Sequence, residues 1–126
     1  MAKKKKIMIL DNNLEFIILL KNYINVQKDM EVVFYACDGT NAMKYIKGTS
    51  PDILLLDIVM HENNGFDVLE KINKEPKCKM PLVFVMSSIS NEKIIQKAVS
   101  LGITYYFIKP FNIKNFINRI RYLMIP

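Results

Sequence analysis

The sequence predicts an α/β domain: a doubly wound, five-stranded parallel sheet with helices on both faces. Three observations carry that expectation. Short β-type runs alternate with amphipathic helical runs five times along 126 residues. The connections between successive runs are long enough to hold a helix, as parallel strands require. Two runs, residues 53–56 and 81–86, are apolar without a break, the mark of strands covered on both faces.

In order, the first strand is residues 7–10, followed by a helix in which Leu14, Ile17, Ile18, Lys21 and Ile24 recur at three- and four-residue spacing, capped by Asn12 or Asn13. The second strand is residues 31–36. The second helix, residues 39–47, has Ala42, Met43, Tyr45 and Ile46 on its apolar side and stops at Gly48. Pro51 introduces the third strand, residues 52–57, and a loop over 58–64 leads to a helix through Phe66, Val68, Leu69 and Ile72 that ends before Pro76. Residues 81–86 form the fourth strand, closed by Ser87 and Ser88. The fourth helix, residues 91–101, turns Ile94, Ile95, Ala98 and Leu101 to one side and stops at Gly102. The fifth strand, residues 104–108, runs into Lys109-Pro110, and the last helix region carries Phe111, Ile113, Phe116, Ile117, Ile120 and Leu123. Five such units predict the flavodoxin-like strand order 2-1-3-4-5, with any site beyond the carboxyl ends of the strands, near the switch between strands 1 and 3.

Length allows one domain, residues 1–126, and 51% hydrophobic residues suffice for a core. Of the net charge of +6, Lys3, Lys4, Lys5 and Lys6 supply four units. Residues 1–6 are therefore expected to be a basic, solvated tail rather than a nucleic-acid or lipid contact. Cys37 and Cys78 are far apart and His61 has no metal-ligand partner at useful spacing, so neither a disulfide framework nor a zinc site is expected. No uncharged apolar run reaches the length of a membrane span, and a cytoplasmic protein is expected.

The chemistry collects where strands stop. Asp11 and Asn12 follow strand 1, Asp57 ends strand 3, Ser87 follows strand 4 and Lys109 follows strand 5. Two carboxylates, an amide, a hydroxyl and an ammonium suit a divalent cation beside a phosphoryl group. The carboxylates would hold a hard cation such as Mg²⁺, Lys109 would offset phosphoryl charge and Ser87 would donate a hydrogen bond. Asp57 would be the nucleophile that becomes an acyl phosphate. Taken singly, Asp57 is also an ordinary turn-starting carboxylate and Lys109-Pro110 an ordinary strand terminator.

From Ile7 to Met124 the chain resembles the receiver domain of two-component response regulators. The resemblance rests on Ile9-Leu10-Asp11-Asn12-Asn13, on Pro51-Asp52-Ile53-Leu54-Leu55-Leu56-Asp57-Ile58-Val59-Met60, on Gly65, on Ser87 and on Tyr106-Phe107-Ile108-Lys109-Pro110-Phe111. Gln27-Lys28-Asp29-Met30-Glu31-Val32 and Val68-Leu69-Glu70-Lys71 are similar to receivers of the sporulation type. The resemblance implies that Asp57 takes a phosphoryl group from a sensor histidine kinase or phosphotransfer protein, with Mg²⁺ held by Asp11, Asp57 and the main-chain carbonyl of Val59. It implies that Ser87 and Tyr106 then switch the face formed by helix 4, strand 5 and helix 5, a surface through which such domains pair, and that the Lys109-Pro110 bond is cis. Tyr106 also reads as plain packing from the alternation of strand 5. Transcription would be regulated only through a DNA-binding effector domain outside this chain. Enzymatic activity would be limited to self-phosphorylation and autodephosphorylation, so the chain is not expected to be an enzyme.

Two positions depart from the pattern. Asn12 stands where the family has a second acid, and a missing unit charge about 4 Å from the cation forgoes up to roughly 4 kcal/mol at an effective dielectric of 20. His61 replaces a loop proline and is expected to face solvent, and Glu62, Asn63 and Asn64 differ from the sporulation pattern. These departures support an alternative, a degenerate receiver that serves as a phosphate-independent interaction or dimerisation module. A flavodoxin-type electron carrier is disfavoured, because Asp11 and Glu15 would repel a flavin phosphate where N–H and hydroxyl donors are needed.

Overall fold

The computed structural model describes residues 3–60 and 64–124. Its elements run β1 (Lys5–Leu10), α1 (Leu14–Asn25), β2 (Met30–Ala36), α2 (Ala42–Thr49), β3 (Ile53–Asp57), α3 (Gly65–Asn73), a short 3-10 turn (Lys77–Lys79), β4 (Leu82–Ser87), α4 (Glu92–Ser100), β5 (Tyr105–Ile108) and α5 (Ile113–Leu123). All strand pairs are parallel and the order is β2-β1-β3-β4-β5. The predicted flavodoxin-like architecture is therefore observed.

Strand alternation divides the core into two layers. Ile7, Ile9, Ile53, Leu55, Phe84 and Met86 face α1 and α5, where they meet Ile17, Leu20, Ile24, Phe116, Ile117 and Ile120. Met8, Leu10, Leu54, Leu56, Val83 and Val85 point the other way, onto Ala42, Ile46, Val68, Leu69 and Ile72 of α2 and α3. The middle strands are thus covered on both sides, which is why their sequences show no polar alternation. Each central apolar side chain withdrawn from water contributes on the order of 1.5–3 kcal/mol, opposed by the entropy of ordering the chain.

Several local expectations are corrected. Lys5 and Lys6 belong to β1 and pair with Met30 and Glu31 of β2, so the basic tail is shorter than residues 1–6. Lys5 N–H donates to the Asp29 carbonyl at 2.9 Å, and Lys6 N–H to the Asp52 carboxylate at 2.8 Å. In α1, Leu14 is 51% exposed and Leu20, unremarked in the periodicity, is fully buried. Helix α2 begins and ends later than expected and includes Gly48. The left-handed turn after it falls on Ser50 (φ 49°), whose N–H donates to the Ile46 carbonyl. In α4 only Ala98 is fully buried, while Ile94, Ile95 and Leu101 are half-buried. Gly102 does take the predicted left-handed conformation, at φ 86°.

Candidate functional site

The carboxyl ends of β1, β3, β4 and β5 lie on one edge of the sheet. Leu10 is level with Leu56, Asp57 with Met86, and Ser87 with Ile108. Asp11, Asp57 and Ser87 are the buried polar side chains among the described residues, at 0%, 4% and 0% exposure. Burial of three polar groups in an otherwise apolar core requires partners for each.

Asp11 is held by both oxygens. Its Oδ1 accepts the Asn13 N–H at 2.9 Å, and its Oδ2 accepts from Lys109 Nζ at 2.6 Å. Asn13 in turn caps α1 by accepting the Phe16 N–H at 3.0 Å, so the strand-to-helix turn and the site are one piece of structure. Asp57 Oδ1 accepts the Val59 N–H at 3.1 Å, and Lys109 Nζ stands 3.6 Å from Asp57 Oδ2. One ammonium thus bridges two buried carboxylates. Burial pushes the Asp57 carboxyl above its usual range. Lys109 opposes that shift, the neighbouring Asp11 charge adds to it, and the Val59 and Asn12 N–H groups oppose it.

Lys109 arrives from β5. Its main-chain N–H donates to the Ser87 carbonyl at 2.8 Å, extending the β4–β5 ladder by one step, and the Lys109-Pro110 bond is cis as the resemblance implied. Its ammonium also lies over the Phe16 ring, 4.6 Å from the centroid. This wall of the site was not foreseen, because periodicity assigns Phe16 no role and only the packed α1 brings it to Lys109.

Ser87 Oγ accepts the Ile89 N–H at 3.1 Å, and Tyr106 O–H donates to the Ile89 carbonyl at 2.7 Å. Both predicted switch residues therefore grip the two main-chain groups of a single loop residue. Tyr106 is half-buried and also packs with the α2–α3 layer, so it is packing and hydrogen-bond partner at once.

Gly65 opens α3 directly beneath the Asp57 peptide. A Cβ there would lie 2.5 Å from the Asp57 carbonyl oxygen and 2.7 Å from Ile58 Cα, and Gly65 N–H donates to the Ile58 carbonyl at 2.9 Å. Asn64 caps this helix through the N–H groups of Phe66 and Asp67. Asn12 and Val59 are exposed at the rim. His61 lies outside the described residues, as do Glu62 and Asn63.

The donor set at the strand ends is one of oxygen atoms, from the Asp11 and Asp57 carboxylates. Two carboxylates facing one ammonium leave an excess negative charge in the pocket when both are ionised. The oxygen donors are those a hard cation takes. No group of three or more His, Cys, Asp or Glu gathers among the described residues. A cation would thus be completed by carbonyl, amide and water oxygens, the manner of Mg²⁺ rather than zinc. The residues fit that group.

The family model for the response regulator receiver domain matches residues 7–121. The chain belongs to this family. Among solved structures, this receiver is similar to the response regulator domain of Thermotoga maritima CheB, with 25% identity and a TM-score of 0.85 over 98% of this chain and 99% of that one. It is similar to the phosphorylated cyanobacterial phytochrome response regulator RcpA, at 27% identity and a TM-score of 0.78 over 95% and 91%. A LuxR-family DNA-binding response regulator from Staphylococcus aureus shares the fold at 24% identity and a TM-score of 0.85 over 94% and 98%. Receiver domains generally bind Mg²⁺ at the phosphorylation site and interact with histidine kinases or phosphotransfer proteins. No helix among the described residues of this receiver is long and apolar enough to cross a membrane.

Proposed function

We propose that this receiver is a phosphoacceptor switch in which Asp57 carries the phosphoryl group. The observation that carries the reading is the single ammonium of Lys109 set between the carboxylates of Asp11 and Asp57 at the strand ends. An Asp57 oxygen forms the new O–P bond while the N–P bond to a donor phosphohistidine breaks, and the departing imidazole nitrogen takes a proton from solvent. Water later cleaves the acyl phosphate and restores the carboxylate. Lys109 is placed to follow the negative charge from Asp11 to the phosphoryl oxygens, and Ser87 offers its O–H to one of them.

Asp11, Asp57, the Val59 carbonyl and the Asn12 amide would hold Mg²⁺, which when bound supplies charge neutralisation for the incoming phosphoryl group. Asn12 contributes a neutral donor where an acid would contribute charge. We expect weaker metal affinity and slower phosphorylation than a second acid would give.

The readout follows from Ile89. Turning Ser87 toward a phosphoryl oxygen gives up its bond to the Ile89 N–H, and a displaced Ile89 withdraws the acceptor of the Tyr106 hydroxyl. The α4–β5–α5 face, where Val99, Tyr105, Ile108 and Tyr122 are exposed, would then change shape. This is the surface proposed for pairing of two receivers. The DNA-binding relative supports an output on transcription, through an effector domain joined to this one. The sporulation-type stretches support a phosphorelay as the source of phosphate, and a cytoplasmic location follows from such partners.

The test is incubation with Mg²⁺ and acetyl phosphate followed by intact-mass measurement: one phosphoryl group is expected on the wild type and none on Asp57→Asn. A second reading, a phosphate-independent interaction module, is favoured by Asn12. It predicts no adduct, and no saturable shifts of the strand-end amides by NMR when Mg²⁺ is titrated to millimolar levels.

A further inference from the structure

The end of the domain opposite Asp57 carries a feature that phosphoryl chemistry does not use. A groove of about 750 Å³ crosses the amino ends of β3 and β4. Pro51, Met80 and Leu82 line it, Met124 reaches it from beyond α5, and Leu82 is 43% exposed. The Lys47–Glu75 ion pair, at 2.8 Å, lies on its rim. A second hollow of about 410 Å³ adjoins it, formed by Lys3, Lys4, Lys5 and Lys6 and sharing Ser50 and Asp52 with the first.

The charge of this end is one-sided. Lys79 joins the five lysines already named, against only Asp52 and Glu75 in the two linings. Glu75 is engaged by Lys47, and the Asp52 carboxylate accepts the Lys6 N–H at 2.8 Å. Among the described residues, Lys3, Lys4, Lys5 and Lys79 form no ion pair. An apolar floor beside unpaired ammonium groups is complementary to a ligand that is acidic and apolar together.

We propose that this groove docks an acidic protein segment bearing apolar side chains. Two other anionic partners are less well matched. The linings contain no arginine and no aromatic ring, the groups that read bases or stack on them. The apolar residues sit in a hollow rather than on a projecting face, which suits a side chain inserted from a partner better than a bilayer surface. Because the whole of β3, Ile53–Asp57, separates the groove lining at Asp52 from the site at Asp57, the segment would bind in either phosphorylation state. The groove would be a tether, separate from the switch.

The probe is a fluorescent peptide of repeated Glu-Asp-Leu, titrated with the purified chain by anisotropy at about 50 mM salt and again at about 300 mM, where screening shortens the reach of surface charge. Saturable binding is expected that weakens with salt. It should fall roughly tenfold when the peptide leucines become serine, and be lost in the double variant Lys5→Glu, Lys79→Glu. Leu82→Ser should reproduce the apolar loss with the charges in place, and circular dichroism verifies that each variant is folded. Asp57→Asn should bind as the wild type does. Amide shifts should centre on Ser50 and Leu82. The proposal is overturned by no saturable binding at low salt, or by equal binding of the serine peptide. It is equally overturned by amide shifts centred elsewhere, or by tighter binding of a DNA duplex or of phosphatidylcholine–phosphatidylglycerol vesicles. Phosphorylation of Asp57 is measured separately, so failure here leaves the switch reading standing.

Discussion

A carboxylate buried beside a second carboxylate costs the folded chain stability, and Asp57 is placed in that position. Its carboxyl is raised because burial and Asp11 together outweigh Lys109. The sign follows from linkage: in the unfolded chain the group ionises near 3.8, in the folded chain only at higher pH. The cost is therefore absent below about pH 3.8, grows as pH rises, and is complete above the folded-state value. In metal-free buffer Asp57→Asn should raise the Tm at pH 7, with the gain shrinking toward zero as pH falls to about 4. Thermal melts across that range check it. Lys109→Ala should do the reverse, since it strands two buried carboxylates; a loss of roughly 3 kcal/mol at neutral pH is expected, partly recovered in acid. Asp11, Asp57, Ser87 and Lys109 were legible as a set because each stands where a strand ends. Phe16 beside Lys109, and Ile89 shared by Ser87 and Tyr106, were not, since ring placement and main-chain acceptors leave no mark in residue type.

Helix α3 reaches the site only because its first residue has no side chain. Gly65→Ala puts a Cβ against the Asp57 carbonyl and Ile58 Cα, main-chain atoms that cannot swing aside. A loss of about 1–3 kcal/mol and slower phosphorylation are expected, read by denaturant titration and by acetyl phosphate labelling. Gly48 is the contrast. It lies inside α2 with nothing within 4 Å of an added Cβ, so Gly48→Ala should stabilise by about 0.5–1 kcal/mol. At the far end of α5, Arg121 grips Asp29 with two bonds, Nε to Oδ2 at 2.6 Å and Nη2 to Oδ1 at 2.9 Å. Hydrogen bonding to Arg121 holds the Asp29 carboxyl below its usual value, so this contribution is present above about pH 3.8 and fades as pH drops through the folded-state value. Both side chains are more than a third exposed, and Asp29→Asn should cost no more than about 1 kcal/mol. The elements themselves were legible from period. Their ends were not: Gly48 looked like a stop, yet Ser50 takes the left-handed turn, and Lys5 looked like tail although its main chain completes β1.

The whole molecule divides by height along the sheet. Buried charge gathers at the carboxyl ends of the strands, unpaired lysines at the amino ends, and two apolar layers fill the space between. Strand order and layering were legible because uninterrupted apolar runs exist only where both faces are covered, and the switch between β1 and β3 then fixes where a site can open. The groove between the amino ends was not, because it is assembled from Ser50, Leu82 and Met124, which are far apart in sequence and individually unremarkable. The claim on which the functional account rests is that Asp57, among 12 acidic residues, is the phosphoryl acceptor. The most direct measurement is borohydride reduction of the chain after acetyl phosphate and Mg²⁺ treatment, followed by peptide sequencing, since reduction turns an aspartyl phosphate into homoserine. Homoserine at position 57 and at no other position is the predicted result; an unreduced Asp57, or reduction at Asp11 or Asp52 instead, would contradict it.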